Sequence, residues 1–334
     1  MAPQPRHETC LIGSGGVGTI ASLVLTKSTL ARVTVVLRSK YSYVSEHGWN
    51  IDSVDHGQIS GWKPYRIVRS AAEAATVDEG TEYDYVVVAT KALPSLSPVV
   101  ETISPVITPG KTTVVLIQNG IGIEEDIVKA YPTNVVMSSV SHIGSEVRAP
   151  NLVIQTGKDV SKMGPHLHSG VDDSVSMSRA RQFADMYVAG GAHVCEFVED
   201  IETARWEKLL WNGTFNTVCA LMRMNVGELQ RSRGRETLLV PMMWEIWYIA
   251  KAEGHGMPES SVDWTAYRLP DDCPYKPSML LDLENGRPME LDVILGNALI
   301  KAKKLNVDTP VMEVVLKLLR LEEWKITQSK SMKM

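Results

Sequence analysis

Short apolar runs alternate with helical stretches through the first half of the sequence. Five runs are continuous and rich in β-branched residues, as is typical of strands buried on both faces: Thr9–Ile12, Arg32–Leu37, Asp84–Ala89, Lys111–Ile117 and Asn134–Val140. Helical stretches lie between them, from Val17 to about Thr26 and near 93–103 and 121–131. This alternation predicts a parallel sheet with helices on both faces, which is an α/β fold.

Two further regions of this half are predicted to form structure in addition to the parallel sheet. Short alternating pieces predict an inserted antiparallel ribbon between 48 and 70: Asn50–Val54, Gln58–Trp62 and Tyr65–Val68. A meander, a helix and a last strand are then expected to complete the domain: Leu152–Gln155, Val160–Met163, residues 175–189 and His193–Phe197.

The pattern changes after Glu199, where long amphipathic helices take over. Apolar residues at helical spacing predict five of them: 201–224, 235–253, 278–284, 289–304 and 310–328. We therefore expect two domains, an α/β domain over 1–200 and an all-helical domain over 201–334.

Composition narrows the class of protein. The chain has 334 residues, of which 44% are hydrophobic and 22% charged, which excludes a disordered chain or a collagen. A net charge of −5 disfavours non-specific nucleic-acid binding. The four cysteines form no C-x-x-C pair, so reduced thiols in a cytoplasmic compartment are expected. The sequence contains no run of 18 apolar residues, so no membrane association is predicted.

The first strand runs into a glycine-rich turn that opens a helix. Its letters are Gly13-Ser14-Gly15-Gly16-Val17-Gly18, a G-x-G-x-x-G motif. The glycines allow a tight turn, a close backbone approach to a pyrophosphate and close helix packing, and the helix N-terminus favours the anion. A glycine-rich turn without a ligand is the alternative, but the strand–turn–helix context favours dinucleotide binding.

The second strand ends at Arg38, where an NAD-preferring site would carry an acidic residue for the ribose 2′-hydroxyl. A guanidinium at this place suits a 2′-phosphate, which predicts NADP(H). The alternative is a solvated arginine at a strand end. Two further strand ends carry Lys91 and Asn119, which we expect beside the cofactor.

One face of the helix predicted over 201–224 carries a polar line in apolar surroundings. Lys208, Asn212 and Asn216 are spaced i, i+4 and i+8. A partly desolvated lysine can act as a general acid, and the two amides can orient substrate oxygens. The alternative is a lysine on a rim with asparagines that hydrogen-bond between helices.

Taken alone, Ser278 suits a helix N-cap, and Glu290 suits the start of the next helix, where the helix dipole favours an acidic residue. His166 and His168 are close in sequence, but they have no cysteine or carboxylate at ligand spacing, so no metal site is predicted.

Together these residues resemble the ketopantoate reductase (2-dehydropantoate 2-reductase) family over about residues 9–325. The resemblance rests on the glycine motif, Arg38 and Thr90-Lys91-Ala92, and on a set of motifs in the same order along the chain: Gln118-Asn119-Gly120-x-Gly122, Trp206-x-Lys208-Leu209-x-x-Asn212-x-x-x-Asn216, Ser278-Met279-x-x-Asp282, Glu290-x-Asp292, Gly296 and Thr309-Pro310.

The resemblance implies a Rossmann-type domain followed by a helical domain, and NADPH-dependent reduction of ketopantoate to pantoate in pantothenate biosynthesis. It implies that Lys208 protonates the developing alkoxide and that Glu290 interacts with Lys208 and the substrate. It also implies that four residues bind polar groups of the cofactor or the substrate: Asn119, Asn212, Asn216 and Ser278.

The sequence departs from the family pattern at Met289 and Pro277, where the family often has Thr and Ser. These changes leave open a reductase of a different 2-oxo acid. A sensor that binds NADP(H) without turnover is the other alternative, although it has no need of the polar line. An apolar face on a C-terminal helix leaves a homodimer open.

Overall fold

The computed structural model describes residues 6–77, 81–148 and 150–331, which divide into two compact units. The sheet unit contains the described chain up to Lys91, then Ser97–Gln118 and Glu124–Ile201. The helical unit contains Ala92–Leu96, Asn119–Ile123 and the described chain from Glu202 onward. Two short loops of the first half therefore pack with the helices of the second half.

An eight-stranded sheet forms the centre of the sheet unit. Its strands are β1 (His7–Ile12), β2 (Ala31–Val36), β5 (Arg66–Val68), β6 (Tyr85–Val88), β7 (Thr113–Leu116), β8 (Val136–His142), β11 (Val160–His166) and β12 (Val194–Phe197). Their spatial order is β12-β11-β8-β7-β6-β1-β2-β5. The six strands from β5 to β8 are parallel, and β11 pairs antiparallel with β8. The predicted parallel sheet is confirmed, and its strand order reverses direction at β1, where such sheets bind ligands.

A four-stranded sheet lies within the same unit, and it corrects two pairings expected from the sequence. Its strands are β3 (Trp49–Ser53), β4 (Gly57–Trp62), β9 (Ser145–Val147) and β10 (Leu152–Gln155), in the order β4-β3-β10-β9. The third piece of the expected ribbon, β5, instead extends the parallel sheet beside β2. The expected meander is also wrong, because β10 pairs with β3 while β11 joins the large sheet. Alternating burial identifies a strand but not its partner, which explains both errors.

Within the described residues, the sheet unit has six α-helices: α1 (Gly16–Lys27), α2 (Tyr41–His47), α3 (Ala71–Thr76), α4 (Val99–Ile103), α5 (Glu125–Ala130) and α6 (Asp173–Ala189). Helices α4 and α5 are shorter than the stretches expected near 93–103 and 121–131. Prolines 94 and 98 disfavour helix before α4, and Gly120 and Gly122 have positive φ before α5. The residues lost from these helices form the two loops that pack with the helical unit.

The helical unit begins within α7 (Ile201–Trp211) and contains seven further α-helices: α8 (Thr217–Met222), α9 (Val226–Arg231), α10 (Val240–Glu253), α11 (Ser260–Tyr267), α12 (Ser278–Glu284), α13 (Asn297–Lys304) and α14 (Pro310–Ser331). Three π-helical segments occur among them, at Asn212–Asn216, Arg235–Leu239 and Asp292–Gly296. Its apolar core includes Ala92 and Ile121 from the two loops. Among the described residues, no helix is both long enough and apolar enough to cross a bilayer.

Candidate active site

The glycine motif forms a tight turn between β1 and α1. Gly13 has φ +104°, and a Cβ there would lie 2.5 Å from the backbone nitrogen of Thr90. A Cβ on Gly18 would lie 1.8 Å from the carbonyl oxygen of Gly13. Both positions therefore require glycine for packing, whether or not a ligand binds. Gly15 differs, since a Cβ there would meet nothing within 4 Å.

The open space at Gly15 lies at the N-terminus of α1, which is suited to an anion. Gly15 is the N-cap residue and has no side chain that could cap the helix. The first turn, Gly16–Thr19, contains no acidic residue. The free backbone N–H groups and the helix dipole are therefore directed toward a place that a phosphate can approach. This geometry fits the pyrophosphate of a dinucleotide, with Ser14 and Val17 in the same turn.

Basic side chains gather at the ends of β2 and β5. These strands are parallel neighbours, with Val36 opposite Val68, so the residues that follow them emerge side by side. Arg38 is exposed, and burial lowers the pKa of Lys40. The Arg69 guanidinium lies 4.6 Å from the ring centroid of Tyr41. Sequence reasoning missed Arg69, because β5 was assigned to the ribbon instead of the parallel sheet.

The ends of β6 and β7 are joined by a side chain. Gln118 Nε2 donates to the carbonyl oxygen of Thr90 at 2.8 Å. Lys91, which follows Thr90, is exposed. The predicted cofactor residues of the sheet unit thus lie at carboxyl ends of its parallel strands, the edge at which such sheets bind ligands.

In the helical unit, one chain of hydrogen bonds joins three of the candidate residues. Lys208 Nζ donates to Asn119 Oδ1 at 2.8 Å, and Asn119 Nδ2 donates to Glu290 Oε2 at 3.3 Å. Glu290 is buried, and its Oε1 accepts the backbone N–H of Ala92 at 2.9 Å. The cation, the amide and the carboxylate therefore hold one another in place.

A second group of candidate residues continues along the same helical stretch. Asn216 Nδ2 donates to Asn212 Oδ1 at 3.1 Å and to Ser278 Oγ at 3.5 Å. Both asparagines are buried. Ser278 is exposed, and the N-cap position of α12 is Pro277, so the capping role suggested for Ser278 is wrong. Amide and hydroxyl groups are thus presented beside the Lys208–Asn119–Glu290 chain.

Both asparagines lie at the ends of the π-helical segment Asn212–Asn216. Thr214 Oγ1 donates to the carbonyl oxygen of Leu210 at 2.5 Å, and Thr217 Oγ1 donates to that of Gly213 at 2.6 Å. Hydroxyls that bond carbonyls one turn back are known to distort helices, and π segments are frequent at functional sites. A second π segment, Asp292–Gly296, begins two residues after Glu290.

Three supporting contacts were not foreseen from the sequence. Arg205 is buried, and its Nη1 donates to the carbonyl oxygen of Gly120 at 2.9 Å. Asn297 Nδ2 donates to the carbonyl oxygen of Ile121 at 2.7 Å. A Cβ on Gly120 would lie 2.6 Å from Val293 Cβ, so this loop packs tightly. Arg205 lies one helical turn before Lys208, and this spacing is the only feature of the sequence that could have indicated its role.

The two histidines considered as metal ligands have protein partners in the sheet unit. The Ser138 hydroxyl and His166 Nε2 are 2.6 Å apart, and His168 Nε2 is 3.1 Å from the carbonyl oxygen of Asn134. A carboxylate oxygen of Glu124 also lies within 4.8 Å of a ring nitrogen of His166, a neighbour that spacing along the sequence did not reveal.

Comparison with known proteins shows the family of the chain. The family model described as ketopantoate reductase PanE/ApbA matches residues 9–168, and its C-terminal model matches residues 200–323. An uncharacterised protein of Saccharomyces cerevisiae is 34% identical over 96% of this chain and 95% of its own length.

Two solved structures illustrate the fold. The 2-dehydropantoate 2-reductase of Methylococcus capsulatus has a TM-score of 0.81 and 32% identity, over 96% of this chain and 97% of that one. D-mandelate dehydrogenase, solved with NADH and anilino(oxo)acetate, has a TM-score of 0.81 and 22% identity, over 96% of this chain and 99% of that one. At 22% identity the latter likeness concerns the fold alone.

Proposed function

The chain belongs to the ketopantoate reductase family of oxidoreductases, and from this membership we propose that it reduces a 2-oxo acid to the 2-hydroxy acid with NADPH. Ketopantoate is the first substrate to test, which would place the protein in pantothenate biosynthesis. The observation that carries the proposal is the hydrogen-bonded chain Lys208–Asn119–Glu290. A protein that only binds a dinucleotide has no need of this arrangement.

The sheet unit has the features that would hold the cofactor. The turn at Gly13–Gly18 and the N-terminus of α1 would take the pyrophosphate, with Lys91 contributing from a later strand end. Arg38 would take the 2′-phosphate, with Lys40 and Arg69 adding positive charge at the same edge. When bound, the reduced nicotinamide supplies a hydride.

The residues of the helical unit would supply the proton that the reaction needs. A carbonyl oxygen placed at Lys208 Nζ would accept a hydrogen bond from the ammonium. As the carbonyl carbon gains a hydride, negative charge grows on that oxygen, and Lys208 would stabilise the charge and then donate its proton. Asn119 orients the ammonium through its Oδ1, while Glu290 holds the Asn119 amide and balances the lysine charge. Solvent would restore the proton.

Asn212, Asn216 and Ser278 would bind the remaining polar groups of the substrate. Their hydrogen bonds to one another fix the side chains before the substrate arrives, which reduces the entropy lost on binding. A different 2-oxo acid is favoured by one observation. Met289 and Pro277 are buried and bring no hydroxyl to positions where the family often has Thr and Ser.

The test is NADPH oxidation followed by absorbance, with ketopantoate beside a panel of other 2-oxo acids. Turnover on ketopantoate alone supports both the reaction and its place in pantothenate biosynthesis. Turnover on another acid keeps the reaction and changes the substrate. Tight NADPH binding with no turnover on any acid would favour the sensor.

We also propose that two copies associate through α14. Val314, Leu318 and Leu321 are exposed on one face of this helix, and Trp324 is 61% exposed beside them. Apolar stripes of this kind commonly mark an interface. Light scattering after gel filtration should give twice the mass of one 36.9 kDa chain, and Leu321→Lys should give a single chain.

The proposed compartment is the cytoplasm. All four cysteines are free thiols, and burial raises the pKa of Cys10 and Cys219 to about 12, so these thiols stay protonated and unreactive. Free thiols are typical of a reducing environment.

A further inference from the structure

Arg268 follows α11 and lies between two tryptophan side chains. Its Cζ is 4.9 Å from the ring centroid of Trp211 and 4.5 Å from that of Trp264. Both distances are within the range of cation–π attraction. The guanidinium is therefore held by aromatic rings and not by opposite charge.

The charge of Arg268 is unbalanced within the described chain. Its Nε is buried and has no hydrogen-bond partner among the described residues. Burial lowers the pKa of the guanidinium, and the Tyr275 phenol opposes this shift only in part. A partly buried cation without a carboxylate is costly, unless a ligand supplies the negative charge.

Arg235 provides a comparison in the same unit. It too lies over an aromatic ring, 4.6 Å from the centroid of Tyr267. Arg235 is paired with Asp271 at 2.8 Å and with Glu236 at 2.9 Å. Burial alone would lower its pKa, but these hydrogen bonds outweigh burial and raise it. The chain thus supplies carboxylates to one stacked arginine and none to the other.

Two aromatic rings near Arg268 belong to the same chain segments as the proposed substrate groups. Trp211 directly precedes Asn212, and its ring stacks on that of Phe215 with a centroid distance of 4.4 Å. Phe215 in turn precedes Asn216. Tyr275, whose ring centroid is 6.3 Å from that of Trp211, lies three residues before Ser278. Through Trp211 and Tyr275, the setting of Arg268 is thus connected to the two segments that carry Asn212, Asn216 and Ser278.

When the face of a guanidinium stacks on aromatic rings, its N–H groups still point outward in the guanidinium plane. The edge of the guanidinium matches the two oxygens of a carboxylate, which it can bind through two parallel hydrogen bonds. Partial burial strengthens such a pair because water competes less.

We propose that Arg268 binds a carboxylate of the substrate. This inference rests on the proposed reduction of a 2-oxo acid, and it adds a residue that determines substrate specificity. The carboxylate is either the one attached to the reduced carbonyl or a second one at the far end of the substrate. Either carboxylate would bind the guanidinium in the same way. Substrates with one and with two carboxylates therefore distinguish the two possibilities.

The experiment measures kcat and KM for wild type, Arg268→Met and Arg268→Lys, with 2-oxoisovalerate as a monocarboxylate and 2-oxoglutarate as a dicarboxylate. Binding of oxamate, which is not reduced, is followed by tryptophan fluorescence in the same proteins. Arg223→Met is the matched control, because Arg223 is an exposed arginine of the same unit that pairs with Glu322. Circular dichroism checks that each variant is folded.

Loss of a charge-assisted hydrogen bond should raise KM and the oxamate Kd by about ten- to a hundredfold in Arg268→Met. We expect kcat and the Kd for NADPH to change less than about threefold. Arg268→Lys should recover part of the affinity for oxamate and substrate. If Arg268→Met does not fold, Arg268→Lys is compared with wild type instead. Equal effects on both substrates assign Arg268 to the carboxylate beside the carbonyl, and an effect on 2-oxoglutarate alone assigns it to the distal one.

The proposal and the reductase function can fail separately. If wild type binds oxamate but reduces no acid, and Arg268→Met abolishes binding, the carboxylate site stands and the reductase function fails. If folded Arg268→Met matches Arg223→Met in KM and in oxamate binding, the carboxylate site is wrong. The same conclusion follows if wild type binds neither oxamate nor any 2-oxo acid.

Discussion

The Asn119 amide has its two ends fixed by opposite charges. Its oxygen accepts from the Lys208 ammonium and its nitrogen donates to the Glu290 carboxylate. A flipped amide would place oxygen against carboxylate, so the charges impose one orientation. The orientation of the Asn119 amide thus helps to position the Lys208 ammonium.

Lys208→Ala should fold normally and turn over at least about a hundredfold slower, because general acids typically contribute 10²–10⁴-fold. The measurement is kcat with the best 2-oxo acid, beside a thermal melt. Lys317→Ala, which removes an exposed lysine from α14, should leave kcat unchanged. Retained turnover in Lys208→Ala would remove this lysine from the mechanism.

Arg38→Ala should weaken NADPH binding far more than NADH binding, since only NADPH carries the 2′-phosphate. Direct titration of each nucleotide gives the two dissociation constants. Arg148→Ala removes another exposed arginine of the sheet unit, which pairs with Glu146, and should affect neither nucleotide. Equal losses for NADPH and NADH would show that Arg38 does not read the phosphate.

Most candidate residues could be identified from the sequence because each is tied to a local pattern. A G-x-G-x-x-G run, a strand end and an i, i+4, i+8 spacing are all visible in one dimension. Arg268 and Arg69 carry no such pattern. Each depends on rings or strands distant in sequence, Trp211 for Arg268 and β2 for Arg69.

At the scale of elements, the turn between β1 and α1 separates two roles of glycine. The carbonyl of Gly13 leaves no room for a Cβ on Gly18, whereas the space around a Cβ on Gly15 is open. Gly18 therefore serves packing, whereas Gly15 leaves room at the N-terminus of α1. The sequence motif alone treats these glycines alike.

Gly15→Ala and Gly18→Ala form a matched pair for this turn. Gly15 has φ −70°, which alanine adopts without strain, so its variant should keep the wild-type melting temperature but bind NADPH at least about tenfold more weakly. Gly18→Ala should unfold at lower temperature, because its Cβ cannot fit. If Gly15→Ala binds NADPH normally, no phosphate approaches at that position.

Helices α7, α10 and α13 are linked near Glu253. Trp206 Nε1 donates to Glu253 Oε2 at 3.2 Å, and Lys301 Nζ donates to Oε1 at 2.5 Å. Burial would raise the Glu253 pKa, but hydrogen bonds from His255 and Lys301 outweigh it and lower the pKa to about 2. The charged form is thus favoured in the folded protein.

Glu253→Gln should reduce the free energy of unfolding at pH 7 by roughly 1.5–3 kcal/mol. A lowered pKa stabilises the fold above the ordinary value of 4.5, and this contribution fades as pH falls from 4.5 toward 2. Urea unfolding at pH 7, 4 and 3 should show the difference from wild type shrinking. Glu313→Gln, at an exposed pair, should change little, and a difference independent of pH would contradict the assignment.

The elements also show which features the sequence does not reveal. The long helices and most strands were identified by their period, but the short helices α2, α3, α9 and α11 were missed. The π segments interrupt helices without changing the apolar spacing enough to be seen. The pairing of β5, β10 and β11 depends on contacts between distant strands. Local periodicity cannot contain that information.

At the scale of the whole molecule, the helical unit is not continuous in sequence. Ala92–Leu96 and Asn119–Ile123 belong to it, although the chain on either side of each loop belongs to the sheet unit. Each loop supplies groups that the helices need. These include the Ala92 N–H for Glu290 and the Gly120 carbonyl for Arg205.

A fragment of residues 202–334 should therefore fail to form the native helical unit. It would lack Ala92 and Ile121 from the core and would leave the buried Arg205 and Glu290 without these partners, which is costly in an apolar interior. Near-ultraviolet circular dichroism and a urea titration of the fragment should show no fixed aromatic signal and no sharp transition, while the full chain shows both. Cooperative unfolding of the fragment at the urea midpoint of the full chain would mean that the loops add nothing to the stability of the helices. The site residues would then need the loops only for chemistry.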